Sequence, residues 1–73
     1  MIEKIEIKGE YIKLDNLLKF SGIAVTGGEA KLLISEGKIY VNDEVCTMRG
    51  KKIRDKDQIK YLDKIIEVIS IDS

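Results

Sequence analysis

Polar and apolar positions alternate at the start of the chain. Ile5 and Ile7 fall on one face of residues 2–8, with Glu6 and Lys8 on the other. Period two with β-branched residues predicts a strand. Gly9 and Glu10 interrupt it, and from Leu14 the period lengthens. Leu14, Leu17, Leu18 and Ser21 follow the one-face spacing of a helix, and Gly22 suits the position just past its end. Asp15 stands in the first turn, where a negative charge meets the positive end of the helix dipole.

A second helix is marked more clearly. Thr26-Gly27-Gly28-Glu29 has the spacing of a capping box, in which the Thr hydroxyl accepts from the third helical amide and Glu29 reaches back. Ala30, Leu33 and Ile34 then form a buried stripe, and Gly37 closes the helix. Two glycines in a first turn cost about 1 kcal/mol each relative to alanine, and close backbone approach is the usual reason for accepting that.

Beyond Gly37 the pattern returns to strand. Lys38 to Val41, the turn pair Asn42-Asp43, and Glu44 to Cys46 predict a hairpin. Residues 47–57 are a polar, basic loop with a short strand at Lys52-Ile53. Gln58 to Leu62 and Lys64 to Ile71 are two final strands turning at Asp63-Lys64; residues 65–71 also admit a short helix, but their Ile and Val content favours strand. Tyr40 is either a core residue or a stacking platform, and the alternation of its neighbours favours core. No internal repeat, low-complexity segment or linker interrupts the chain. The expectation is an α+β fold: two short antiparallel helices on one face of a small, mainly antiparallel, bent sheet.

Composition narrows what such a fold can do. At 73 residues one domain is expected over 1–73, with roughly 60% of the unfolded surface buried. That interior is too shallow for a deep substrate cavity, so a surface site is expected. Formal net charge is zero, but the charge is polarised: nine bases face six acids between Lys13 and Lys56, and the two ends are correspondingly acidic. Cys46 is the one cysteine, so no disulfide forms within the chain, and a cytoplasmic location is expected. No apolar run approaches the ~18 residues of a membrane span, and Met1-Ile2-Glu3-Lys4 lacks the layout of a signal peptide.

Most chemistries find no residues here. Histidine is absent, which removes the commonest general base and metal ligand. Cys46 has no such base to activate it and reads as a partly buried small hydrophobe in a hairpin. One Cys without His cannot complete a zinc site. The carboxylates are interleaved with lysines, as on a solvated face. Thr26-Gly27-Gly28 is no Walker loop, because no Gly-Lys-Ser/Thr follows. A non-catalytic protein without cofactor or metal is expected.

Two features point to anions instead. Bare amides at Thr26, Gly27 and Gly28 make a pocket for an anionic oxygen cluster, although a glycine turn that packs the second helix tightly on the first explains them equally. Arg49, Lys51, Lys52 and Arg54 form a basic loop, with Lys56 beyond. Such a loop acts on phosphates without reading sequence. Lys13 and Lys31 extend the patch.

The same residues resemble a known family. Lys13-Leu14-Asp15-Asn16-Leu17-Leu18, Gly22, Thr26-Gly27-Gly28-Glu29-Ala30-Lys31, Ile34, and Gly37-Lys38-Ile39-Tyr40-Val41-Asn42-Asp43-Glu44-Val45 look like the S-four RNA-binding domain, or αL motif, named after the fourth protein of the small ribosomal subunit. The likeness covers residues 12–61, and Arg-Gly-Lys-Lys-Ile at 49–53 is similar to the short, stand-alone YaaA-like branch. It implies structured RNA, ribosomal or transfer, gripped by a helical face; the ribosome or its precursors are the expected setting, and a monomer is expected. By position, Lys13 takes the basic place before Leu-Asp and Thr26 the capping Ser place. Lys31 takes the basic place after Ala, and Asn42 and Asp43 take the hairpin turn. Gly27 departs from the pattern, standing where many members place an RNA-contacting Arg. A protein-interaction module that has lost RNA binding is the alternative. A ubiquitin-like sulfur carrier is disfavoured, because this chain ends Ile71-Asp72-Ser73 rather than Gly-Gly.

Overall fold

The computed structural model describes residues 2–71. Its elements in chain order are β1 (Ile2–Ile7), β2 (Tyr11–Lys13), α1 (Leu14–Phe20), α2 (Gly27–Ser35), β3 (Tyr40–Val41), β4 (Glu44–Val45), β5 (Lys52–Arg54), β6 (Gln58–Tyr61) and β7 (Lys64–Ser70). Five strands form a sheet in the order β1-β7-β6-β3-β4, and β2 and β5 form a separate ribbon. The sheet is mainly antiparallel, with one parallel pair, β1 on β7. A parallel pair needs a long crossover, and here the intervening chain with both helices supplies it.

One core joins these parts. Leu14, Leu17 and Leu18 of α1, Ala30 and Ile34 of α2, Ile53 of the ribbon, and Ile5, Ile7, Val41, Ile59, Ile66 and Val68 of the sheet are all buried in it. Alternation places Ile5 and Val68 opposite each other on the same face, as it does Ile59 and Ile66. Leu33 is half-buried against this core rather than inside it, as is Cys46. Tyr40 corrects the expectation of a core residue: Ile39 and Val41 on either side are buried, so Tyr40 points outward and is exposed. Residues 64–70 are strand, not helix.

Turns fix how the elements meet. Asn42 and Asp43 both have positive φ, 50° and 71°, as the tight two-residue hairpin requires. The Asn42 side chain also ties this hairpin to the β5–β6 turn: its Nδ2 donates to Asp57 Oδ1 (3.1 Å), and its Oδ1 accepts from the Gln58 amide (2.9 Å). Asp57 Oδ2 accepts from the Arg54 amide at 2.8 Å. The final hairpin turns one residue earlier than expected, at Leu62-Asp63, since Lys64 already pairs with Tyr61. Among the described residues no helix is long and apolar enough to cross a membrane.

Candidate nucleic-acid interface

Ile53, fully buried, and Ile12, partly buried against the core, form the inner side of the β2–β5 ribbon and so dictate what its outer side presents. The two strands run antiparallel with Tyr11 opposite Arg54, Ile12 opposite Ile53 and Lys13 opposite Lys52. Side chains alternate across a strand, so Tyr11, Lys13, Lys52 and Arg54 share the outward face. Lys52 Nζ lies 4.9 Å from the centroid of the Tyr11 ring and Arg54 Cζ 5.7 Å, cation–π contacts that hold both charges beside the aromatic. Like charges directly opposite across a strand pair are destabilising, and Lys13 and Lys52 are so placed. The ion pairs found among the described residues are Lys38–Glu36 and Lys64–Glu3, and neither neutralises the ribbon.

The loop before β5 adds two more cations. A helix leaves its first amides without intrahelical partners. In α1 the loop satisfies the first two: the Leu14 amide donates to the Lys51 carbonyl (2.9 Å) and the Asp15 amide to the Arg49 carbonyl (3.1 Å). The Lys51 amide in turn donates to the Met48 carbonyl. Arg49 and Lys51 are thereby anchored by their backbones at the start of α1, where Lys13 is the cap residue. Five of the sequence-predicted residues, Lys13, Arg49, Lys51, Lys52 and Arg54, thus come from two stretches of chain to one place.

Thr26 caps α2, Gly27 and Gly28 open it, and Lys31 follows one turn further along. The Thr26 hydroxyl accepts from the Glu29 amide at 3.1 Å, as the sequence predicts, while Glu29 Oε1 accepts from the Val25 amide at 2.7 Å. A Cβ added at Gly27 would meet Lys19 Nζ at 3.9 Å, and one at Gly28 would meet Thr26 Oγ1 at 3.9 Å. Both are ordinary contacts. Tight helix packing is therefore not what the two glycines serve. No hydrogen bond or ion pair joins this group to the ribbon group among the described residues. Nor is any group of three His, Cys, Asp or Glu placed there to hold a metal ion.

Comparison with known proteins bears on what this arrangement is. The S4 domain family matches residues 5–69. The chain belongs to the S4 domain family. The match is wider than the 12–61 stretch that carries the motif and takes in parts of β1 and β7. A curated relative, the "Probable ribosome maturation protein RlbA" of Bacillus subtilis (strain 168), is 34% identical over 68 residues, covering 93% of this chain and 86% of its own. The solution structure of YbcJ from E. coli, described as revealing an αL motif involved in RNA-binding, superposes with a TM-score of 0.67. It shares 26% identity and covers 93% of this chain and 85% of its own.

The structure puts a cation beside Gly27 at the start of α2. Lys19, in the last turn of α1, brings its ammonium to Gly27. Sequence reasoning missed Lys19 because its nearness to residue 27 arises only when α1 and α2 pack together. Tyr11 was missed for a similar reason: its partners Lys52 and Arg54 lie some forty residues away and meet it through the ribbon. The seven residues of α1 span about 10 Å, so Lys13 and Lys19 mark its two ends.

Proposed function

We propose that this chain is a non-catalytic RNA-binding protein of the cytoplasm that grips structured RNA, ribosomal or transfer, on the ribosome or its precursors. The observation that carries this reading is the β2–β5 ribbon. Lys13 and Lys52 face each other with no ion pair to an acid among the described residues, and Arg49, Lys51 and Arg54 belong to the same ribbon and the loop before it. Such a cluster is costly in the free protein, and a phosphate backbone relieves it. Recognition is by shape and backbone, as expected for folded RNA. Lys19, Lys31 and the amides of Gly27 and Gly28 form a second phosphate contact, with Thr26 holding the helix start in shape. The names of RlbA and YbcJ, one tied to ribosome maturation and the other to RNA binding, support the reading.

Binding to purified ribosomal subunits, total tRNA and a ribosomal RNA fragment tests it. Lys51→Glu with Lys52→Glu is expected to abolish binding at physiological salt while the protein stays folded, as a cooperative thermal transition checks. Retention of wild-type affinity by the folded double variant would exclude the ribbon as the RNA contact.

A further inference from the structure

An apolar groove of about 410 Å³ borders the basic ribbon. Ile7, Ile12, Tyr11, Phe20 and Ile71 line it, with Glu6 and Lys8 as its polar members. Phe20 is 64% exposed at the end of α1, and Ile71 is 53% exposed, so neither is explained by the core. Tyr11 belongs to both features. Its ring carries the Lys52 and Arg54 contacts and also forms a wall of the groove. A larger depression also touched by Phe20 has Glu3 and Glu6 in its lining and no second aromatic, which suits a polyanion less well.

We propose that this groove holds one unpaired nucleobase of the RNA whose backbone lies on the ribbon. The inference rests on the RNA-binding reading and adds a specific requirement to it. A base brings a flat π-face for Tyr11 and Phe20 and a phosphate for the adjoining cations. An apolar peptide would fill the groove but leave the ribbon unneutralised. Glu6 and Lys8 offer an acceptor and a donor for the base's edge. The chain thereby prefers folded RNA that displays a bulged or looped-out base over a perfect duplex.

The test uses a short RNA hairpin with a single bulged 2-aminopurine, and the same hairpin with an abasic residue at the bulge. Binding to the wild-type protein is expected to quench the 2-aminopurine fluorescence, and the abasic hairpin to bind about tenfold more weakly, as loss of one aromatic stack implies. Phe20→Ala is expected to cost a similar factor with the first hairpin and little with the abasic one. Phe20→Leu keeps apolar bulk without the π-face; it should behave like Phe20→Ala and serves if that variant unfolds. If both hairpins bind equally with a steep salt dependence, and the Phe20 variants match wild type, the base inference is overturned while the ribbon reading stands. That outcome would leave the groove to a protein partner. Absence of salt-dependent binding to either hairpin would sink the RNA reading and this inference together.

Discussion

At Gly28 the backbone is helical and a Cβ would meet nothing closer than Thr26 Oγ1 at 3.9 Å. Glycine there costs conformational entropy without relieving a clash. Gly28→Ala is therefore expected to stabilise the fold by about 0.5–1 kcal/mol, read as a higher urea midpoint with unchanged slope. A destabilised variant would show that the packing reading of the glycines was right after all. Asp57 lies at the other extreme. Its two carboxylate oxygens hold the Arg54 amide and the Asn42 side chain, so Asp57→Ala should cost about 1–2 kcal/mol. Chemical denaturation checks this, and a neutral result would mean the turn is held by its backbone alone. The role of Thr26 was legible in the sequence because a cap lies within four residues of what it caps. That of Asp57 was not, because Asn42 is fifteen residues away.

Among the elements, the β3–β4 hairpin follows from local chemistry: Asn and Asp tolerate the left-handed backbone better than other side chains do. The β6–β7 turn is different. Leu62 has φ 54° and is exposed, a conformation that costs a leucine about 1–2 kcal/mol. Leu62→Gly is expected to recover about 0.5–1 kcal/mol of it after glycine's own entropy is counted, seen as a rise in thermal midpoint; a drop would mean that Leu62 contributes packing not evident from its exposure. Nothing in the local sequence marks Leu62 for such a turn, which is why the expected position was one residue late. The turn falls there because Tyr61 must pair with Lys64 for Ile59 to meet Ile66 in the core.

For the molecule as a whole, net charge is a poor guide, since equal numbers of acids and bases conceal a ribbon of one sign. Each cation that neutralises a phosphate contributes about one unit to the dependence of log affinity on log salt. Lys52→Ala is expected to lower that slope by about 1 and to weaken binding to any folded RNA alike. An unaltered slope would remove Lys52 from the contact. By itself the sequence determined the helices, the hairpin, the alternating core positions and the family likeness, because each depends on residues near one another in the chain. Tertiary structure decided that β1 lies parallel to β7, that the Arg49 and Lys51 carbonyls cap α1, that Lys19 stands beside Gly27, and that Lys13 faces Lys52. Those pairings join distant residues, and their register is set by burying Ile12 with Ile53 and Ile5 with Val68. Any one of these burials reads locally as a lone apolar position; only the closed core makes them partners.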